Sequence, residues 1–464
     1  MSTPDYTALL SHTARNRMPS AIRSLFPAEL IPGMVSLLSG KPNASTFPFQ
    51  RLTLELKPAH ASASPESVTV EGADLDLALQ YSPTSGLPRL VSWLEAFQSR
   101  IHSRSKEDSW RCSVGNGSQD LLTKTFEALL DAGDSVLLES PAYSGILPSL
   151  VAHNARLFEV ATDSEGVDPT ALAQILDNWT TREETKDARF PKFLYTTPTG
   201  ANPSGTSAST TRKREVLALV RRHNMLLLED DPYYFLSFDG LTSDADAVTR
   251  ERGKSYFHLE TEYPSTAGRV VRFDSFSKIL SAGLRLGWVT GPKAVLDAID
   301  LDTSSRNLQT SGTSQAIALA LVEKWGVDGF LTHADGVARF YQDRLEQFES
   351  SARTHLQSLP SIATWVRPTA GMFLWIRLHL PPTPESEAGD SFTLISDKAK
   401  AAGVLALPGV AFKPPPSKGE GKKTSAYVRT SFSQVPLDQI DEAFRRLRGV
   451  VEEAWREARL EIPA

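Results

Sequence analysis

Three features that are scarce or missing narrow the function classes open to this sequence of 464 residues. A single cysteine, Cys112, means that no disulfide can form within the chain, which fits a reducing compartment. No apolar run approaches the roughly 20 residues that a helix needs to cross a bilayer. A basic excess is also missing, because the net charge is -6 and the pI is about 5.9. The sequence therefore predicts no membrane or nucleic-acid partner.

The N-terminal region lacks the hydrophobic core that a secretory signal requires. Arg15, Arg17 and Arg23 lie among serines, a pattern that weakly resembles a mitochondrial presequence. Asp5 and nearby prolines argue against that interpretation. We therefore predict a cytoplasmic protein, with a mitochondrial location as the less favoured alternative.

Apolar strands alternate with amphipathic helices up to about residue 290. Hydrophobic residues make up 41% of the chain, enough for a large core, and the alternation is typical of a mostly parallel α/β sheet covered on both faces. Beyond it, the pattern predicts long helical segments between about 312 and 355, strands at 372–376 and 427–430, and a closing helix at 437–459. Strands of the main sheet are predicted at 135–138, 157–160, 193–196, 225–228, 270–273 and 285–290.

Polar side chains follow several of these strands at the point where each ends. Ligands of open parallel sheets bind beyond the carboxyl ends of the strands, so these side chains are candidates for one site. A helix predicted at 118–131 begins with free backbone amides that can take an anion. The candidates are Ser118, Gln119, Asn202, Asp230, Tyr233, Ser275, Ser277, Lys278 and Arg285.

Each of these residues also has an ordinary structural explanation. A lysine after a strand is usually solvated, Gly117-Ser118 is an ordinary helix start, and Asp230-Asp231 commonly caps a helix or faces water. Together, however, they supply a phosphate cradle, a carboxylate, a phenol, an amide and a lysine around one crevice. These are the groups that an enzyme needs to bind pyridoxal phosphate through a lysine. No metal site is expected.

Six motifs in the chain resemble those of fold type I aminotransferases of class I/II: QYSPTSG, SPAYSG, TPTGANPSG, EDDPYYF, SFSKILSAGLRLGW and YVRTSFS. The resemblance runs from about Arg23 to the C-terminus and is closest to the branch of aromatic amino acid, kynurenine and 2-aminoadipate aminotransferases. It implies a mostly parallel, seven-stranded-type sheet in a large domain and a smaller α+β domain built from both chain ends. The implied divisions are an N-terminal arm at 1–35, a small domain at 36–85 and 326–464, and a large cofactor domain at 86–325.

The resemblance also implies roles around the cofactor ring. Lys278 forms a Schiff base with pyridoxal 5'-phosphate and later carries the proton from the substrate Cα. Asp230, chosen over Asp231 for its spacing to Tyr233, pairs with the pyridine nitrogen. Asn202 and Tyr233 bond the phenolic oxygen, and the ring lies between Tyr143 and Pro232.

The cofactor phosphate is assigned by the same resemblance to Ser118, Gln119, Ser275, Ser277 and Arg285. Tyr81 matches a tyrosine that reaches the phosphate of the neighbouring subunit, which implies a homodimer. A buried core position is the alternative interpretation of Tyr81.

Substrate contacts come from both ends of the chain. Arg429 matches the arginine that binds the α-carboxylate, and Gly40 allows the chain to approach the substrate. The positions of Arg23, Lys41, Tyr143 and Phe373 match residues that line the side-chain pocket. Because relatives often carry an apolar residue at the position of Lys41, we hypothesise that Arg23 and Lys41 favour acidic side chains while Tyr143 and Phe373 admit aromatic ones.

The sequence thus predicts transfer of an amino group from an aromatic or acidic L-amino acid, such as kynurenine or 2-aminoadipate, to a 2-oxo acid such as 2-oxoglutarate. A C–S β-lyase on the same fold is the alternative, since no motif separates the two outcomes. A cofactor-sensing transcription regulator is less favoured, because the arm before residue 27 has no room for a DNA-binding module. The retained Lys278, Asp230 and Arg429 argue against an inactive scaffold.

Overall fold

A mixed eight-stranded sheet forms the centre of the computed structural model, which describes residues 4–38, 40–57, 66–105, 109–242, 246–264, 267–416 and 421–462. Its strand order is β3-β10-β9-β8-β7-β4-β5-β6, where β9, β8, β7, β4 and β5 run parallel and β10 and β6 are antiparallel to their neighbours. The strands are β1 Arg51–Leu56, β2 Glu66–Glu71, β3 Trp110–Gly115, β4 Ser135–Ser140, β5 Arg156–Asp163, β6 Gly166–Val167, β7 Phe193–Thr196, β8 Leu226–Asp230, β9 Val270–Ser275, β10 Gly287–Pro292, β11 Ala363–Trp365, β12 Phe373–Leu378, β13 Leu407–Pro408 and β14 Tyr427–Ser431.

Helices cover both faces of this sheet, and the predicted mostly parallel α/β architecture is confirmed. None of the described helices is long and apolar enough to cross a membrane. The helices are α1 Tyr6–Leu9, α2 His12–Asn16, α3 Gly72–Leu79, α4 Pro88–His102, α5 Ser118–Leu129, α6 Leu147–Ala152, α7 Pro169–Asp177, α8 Thr210–Arg222, α9 Tyr256–Leu259, α10 Lys293–Arg306, α11 Gly312–Leu356 and α12 Ile440–Ala458, with shorter turns such as the 3-10 helix Arg23–Leu30 between them.

The central strands are buried on both faces because successive side chains of a strand point to opposite sides. On β4, Leu137 packs into the apolar cluster on one face, while Val136 and Leu138 pack into the cluster on the other. This arrangement leaves the strand ends as the place where polar side chains reach solvent or a ligand.

A third apolar cluster joins α12 to the antiparallel sheet β11-β12-β14-β13, and these elements form the second unit of the structure. The chain enters it along α11, which is interrupted at Gly326, where φ is 63° and only glycine is unstrained. The predicted domain boundary at 325/326 coincides with this interruption, although the division itself stays a prediction. Val70 and Leu75 pack into one of the two clusters of the main sheet rather than into this third cluster.

The structure departs from the sequence patterns in three places. The VSLLSG stretch is typical of a short strand, but 35–38 form no regular element, no described strand pairs with them, and Val35 and Leu37 are largely exposed. The polar composition of 56–75 is typical of an exposed loop, but β2 pairs there with β1 and α3 begins, while 58–65 lie outside the described residues. The edge strand β3 was not predicted, and it forms by pairing with β10.

Candidate active site

A cavity of about 340 Å³ lies at the carboxyl ends of β7, β8 and β9. It is closed on one side by β12 and β14 of the second unit, so the C-terminal part of the chain contributes to it. The structure brings most of the predicted residues together there. The lining residues are Ser118, Gln119, Tyr143, Thr197, Asn202, Asp230, Pro232, Tyr233, Ser275, Ser277, Lys278, Ala282, Arg285, Phe373 and Arg429.

Lys278 enters the cavity from a short 3-10 turn that follows β9. The neighbouring Phe276 is fully buried and anchors this turn in the apolar core. Burial lowers the pKa of the Lys278 amine, and the positive charges of Arg285 and Arg429 lower it further. A lowered pKa increases the share of neutral amine, which is the nucleophilic form.

Asp230 is buried at the end of β8 and faces the cavity. One carboxylate oxygen, Oδ2, accepts a hydrogen bond of 2.6 Å from the Tyr195 hydroxyl. The other, Oδ1, has no hydrogen-bond partner among the described residues. Burial raises the pKa of Asp230 to about 7. Asp231 lies outside the cavity lining and accepts a 2.9 Å bond from Arg272, which supports the choice of Asp230 from the sequence.

Three elements converge on the side of the cavity beside Arg285. Arg285 donates to the Asn116 carbonyl oxygen at 3.2 Å and to Ser277 Oγ at 3.3 Å. A side chain at Gly117 would place its Cβ 2.7 Å from Arg285 Nη2, so glycine is needed for this approach. The N-terminus of α5, the two hydroxyls at 275 and 277, and the guanidinium together form a cradle for an anion.

Arg429 lies on β14, on the side of the cavity formed by the second unit. Its Nη1 donates to Asn202 Oδ1 at 2.9 Å, and its guanidinium carbon lies 4.3 Å from the ring centre of Phe373 and 5.1 Å from that of Phe412. Among the described residues no carboxylate forms an ion pair with it. Neutral neighbours thus orient the guanidinium and leave its charge for a ligand carboxylate.

The Tyr143 ring is placed by a glycine two residues away. A Cβ at Gly145 would lie 2.3 Å from Tyr143 Cζ, and Gln119 Nε2 donates to the Gly145 carbonyl oxygen at 2.9 Å. Tyr233 is buried, which raises its pKa and keeps it a neutral phenol. Tyr143, Pro232 and Tyr233 all line the cavity.

Four predicted site residues do not line this cavity, although all four lie in the part of the chain that the structure describes. Arg23 donates to Thr84 Oγ1 at 2.9 Å, and Lys41 pairs with Glu29 at 2.5 Å. Tyr81 is 48% exposed, and Gly40 has open space at its Cβ position. Within a single chain, Lys41 is thus neutralised by Glu29 and does not reach the cavity. The roles of all four stay predictions.

Sequence reasoning missed three residues that the structure places at the site. Thr197 and Ala282 line the cavity, and Tyr195 holds Asp230 from outside it. Side chains of a strand alternate between its two faces, so Tyr195 on β7 lies on the same face as residue 193 in the core. This alternation could have predicted where Tyr195 lies. Nothing in the sequence indicates the contact of Phe412 with Arg429, which depends on how the second unit folds.

The fold and the cavity together define a fold type I, pyridoxal phosphate-dependent enzyme. The chain belongs to the family described as aminotransferase class I and II, whose profile matches residues 58–447. It is 43% identical over 448 residues to aminotransferase tdiD of Emericella nidulans, covering 97% of this chain and 96% of the relative. It is 33% identical to the mitochondrial kynurenine/alpha-aminoadipate aminotransferase of Bos taurus, covering 97% and 100%. The crystal structure of aminotransferase Aro8 from Candida albicans matches with a TM-score of 0.84 at 26% identity, covering 98% and 100%.

The residues present fit pyridoxal phosphate. The free Oδ1 of Asp230 offers an acceptor for the ring nitrogen, and the cradle beside Arg285 offers donors for the phosphate. Lys278 lies in the same cavity with a lowered amine pKa. The enzyme is therefore a pyridoxal phosphate-dependent aminotransferase whose cavity holds candidates for each contact with its cofactor.

Proposed function

We propose that this aminotransferase moves the amino group of an aromatic or acidic L-amino acid, such as kynurenine or 2-aminoadipate, to a 2-oxo acid such as 2-oxoglutarate. The observation that carries the proposal is the Arg429 guanidinium, which lacks a carboxylate partner among the described residues and lines the same cavity as Lys278. A cation at that place can bind the carboxylate that amino and 2-oxo acids share.

Three sets of residues hold the cofactor in this proposal. Bound pyridoxal phosphate supplies an electron sink that stabilises negative charge at the substrate Cα. The ionised carboxylate of Asp230 accepts a hydrogen bond from the ring nitrogen and favours its protonated form. Ser118, Gln119, Ser275, Ser277 and Arg285 hold the phosphate, and Tyr143 and Pro232 hold the ring faces.

Lys278 both holds the cofactor and moves the proton. Its Nζ is the group in the cavity that would hold the cofactor covalently. With substrate bound, the Lys278 amine would accept the Cα proton at Nζ, and its lowered pKa increases the share of the neutral form that can do so. Asn202 and Arg429 orient the substrate carboxylate, so that the Cα–H bond is presented to this amine.

The breadth of substrates is supported from two directions. Tyr143 and Phe373 give the cavity an aromatic lining, which suits aromatic side chains. An acidic preference is supported by the relative named as a kynurenine/alpha-aminoadipate aminotransferase, and Arg23 and Lys41 remain our candidates for it. Because both lie outside this chain's own cavity, they would act after a change in the N-terminal segment or from a second subunit.

Half-reactions with single amino acids test the proposal. The purified holoenzyme is mixed with one amino acid at a time, without any oxo acid, and its visible spectrum is followed. A transaminase loses its visible band stoichiometrically and regains it on addition of 2-oxoglutarate. Continuous release of pyruvate from cysteine conjugates without an oxo acid would instead identify the β-lyase alternative. A protein that shows no band with added pyridoxal phosphate would refute both.

Arg429→Lys is expected to raise the KM for amino acid donors about 10-fold to 100-fold, because charge-assisted hydrogen bonds to a carboxylate each contribute about 1.5–3 kcal/mol. Steady-state kinetics with phenylalanine and 2-aminoadipate measure the change. Arg377→Lys is the matched control, since Arg377 is an exposed arginine on the neighbouring strand β12. A KM for Arg429→Lys that equals the control value would contradict the assignment.

The proposed enzyme acts as a homodimer in which Tyr81 reaches the partner's phosphate. An exposed apolar surface on the N-terminal segment supports the homodimer, since surfaces of this kind mark interaction sites that a second subunit can cover. This surface comprises Met18, Ile22, Leu25, Ile31, Met34, Val35 and Leu37.

Hybrid dimers test the contribution of Tyr81 across the interface. A dimer of one Tyr81→Ala chain and one Lys278→Ala chain contains one site with both residues intact, if Tyr81 acts on the partner. We expect the mixture to recover activity that neither parent has, up to about a quarter of the unaltered level when half of the dimers are hybrids. No recovery from a mixture shown to contain hybrids would place Tyr81 in its own site or in none.

The compartment is part of the same proposal. A single cysteine supports the cytoplasm, whereas the relative from Bos taurus is named as mitochondrial. Imaging of the full chain with a C-terminal fluorescent fusion would distinguish the two locations.

A further inference from the structure

Tyr195 is a fully buried tyrosine on β7 that lies next to the cavity without lining it. Its hydroxyl donates to Asp230 Oδ2 at 2.6 Å, and burial raises its pKa well above the usual value, so it stays a neutral donor. The bond occupies one oxygen of Asp230 and leaves Oδ1 as the oxygen without a partner in the described structure. A single hydroxyl therefore determines which oxygen of Asp230 stays available.

The sheet itself produces this contact. In the parallel register of β7 and β8, Tyr195 lies opposite Leu228, and Asp230 follows two residues later on the same face. Tyr195 and Leu228 belong to the same apolar cluster, so the phenol is held rigidly along most of its length. Only its hydroxyl extends beyond that cluster toward the polar end of the sheet.

Further polar groups connect this pair to the next strand. Thr197 Oγ1 lies 3.5 Å from the Tyr195 hydroxyl, and the Thr197 backbone amide donates to Glu139 Oε1 at 2.8 Å. Glu139 on β4 also accepts a 2.7 Å bond from Thr196. These hydrogen bonds thus connect strands β4, β7 and β8 next to the cavity.

The charges around Asp230 make its ionised form hard to maintain. Burial opposes the charge most strongly, and the carboxylates of Asp231, Asp274 and Glu139 add repulsion. Two groups act in the opposite direction, because the Tyr195 hydroxyl and the Arg272 guanidinium both lower the pKa of Asp230. Arg272 is shared with Asp274 and Asp231, whereas the Tyr195 hydroxyl donates to Asp230.

We propose that Tyr195 is a positioning residue for the cofactor: its hydroxyl holds Asp230 ionised, with Oδ1 turned toward the cavity to receive the ring nitrogen. This inference rests on the proposed role of Asp230. The ordinary alternative is a core tyrosine whose hydroxyl bonds the nearest acceptor and whose loss affects folding only.

Cofactor binding separates these two interpretations. We would titrate the cofactor-free Tyr195→Phe protein with pyridoxal phosphate between pH 5.5 and 8.5, at about half-unit steps. Loss of a hydrogen bond to an ionised group predicts about tenfold weaker cofactor binding near neutral pH. The pH below which affinity falls should also move upward, because Asp230 would take up a proton at higher pH. The control is Tyr256→Phe, another buried tyrosine, which lies in the other apolar cluster.

A double mutant shows whether Tyr195 acts through Asp230. In an Asp230→Asn background, Tyr195→Phe should add less than about threefold to the loss of cofactor affinity. Thermal melting of each cofactor-free variant sets a temperature at which all are folded. If Asp230→Asn binds the cofactor normally, the proposed role of Asp230 fails. Two other results would overturn only the role of Tyr195, provided that Asp230→Asn binds the cofactor weakly. In the first, Tyr195→Phe matches Tyr256→Phe in cofactor affinity and pH profile. In the second, the effect of Tyr195→Phe is undiminished in the double mutant.

Discussion

Replacing Lys278 with alanine is expected to lower the turnover number about 10⁴-fold, because the variant loses the base that moves the Cα proton. The side chain lines the cavity and has a lowered amine pKa, so alanine removes the amine available there as a base. The variant should still bind pyridoxal phosphate through the cradle beside Arg285 and through Asp230. Single-turnover measurements with a bound amino acid would isolate the proton-transfer step from cofactor loss.

Chemical trapping identifies the reacting lysine independently of activity. Borohydride reduction of the holoenzyme followed by trypsin should give one pyridoxyl-modified peptide spanning 273–285, since the modified Lys278 resists cleavage. Lys293→Ala, with an exposed side chain paired to Asp297, is the matched control and should keep both the modification and the activity. Modification at another lysine, or full turnover by Lys278→Ala, would contradict the assignment. Partial rescue of Lys278→Ala by added methylamine would confirm that an amine is what is missing.

Asp230→Asn is expected to lower kcat/KM about 10²-fold to 10⁴-fold. The asparagine keeps the shape but removes the negative charge that favours a protonated ring nitrogen. Breaking a buried charged pair by removing one partner costs about 3–5 kcal/mol, and each 1.36 kcal/mol corresponds to a factor of ten. Kinetics at saturating pyridoxal phosphate measure this loss, and the cofactor's visible spectrum shows whether the ring environment has changed.

Asp231→Asn is the comparison that makes this experiment decisive. Asp231 is buried against Arg272 and lies outside the cavity lining. Its replacement should therefore lower the melting temperature, while the turnover number of the folded protein changes little. Asp230→Asn should instead lower the turnover number strongly and change the melting temperature less. If the two variants exchanged these effects, the ring nitrogen would have to be assigned to Asp231 instead.

The local chemistry of the site was readable from the sequence because it lies in short motifs at strand ends. Ser275 ends β9, Ser277 and Lys278 lie in the turn after it, and Asp230 ends β8. The alternation of strands and helices was therefore sufficient to place them at one edge. The edge strand β3 was not predicted, and the segment at 35–38 was wrongly predicted as a strand, because both depend on contacts with distant parts of the chain. Whether such a segment becomes a strand depends on whether a partner lies beside it.

The contacts between distant segments had no counterpart in the sequence. Arg429 bonds Asn202 across the two units, and Phe412 packs on the same guanidinium from a third segment. Tyr195 and Asp230 belong to neighbouring strands, and only the register of β7 with β8 brings the phenol to one carboxylate oxygen. Lys41 illustrates the converse, because its charge was visible in the sequence while its pairing with Glu29 was not.

The sequence by itself determined the α/β fold, the family resemblance and the set of reactive groups, because strand periodicity and short motifs act over a few neighbouring residues. The tertiary structure alone decided which oxygen of Asp230 stays free, which rings orient Arg429 and which of the predicted substrate residues reach the cavity. The physical reason is that hydrogen bonds and desolvation depend on separations of a few ångströms, and those separations are set by packing between segments far apart in the chain.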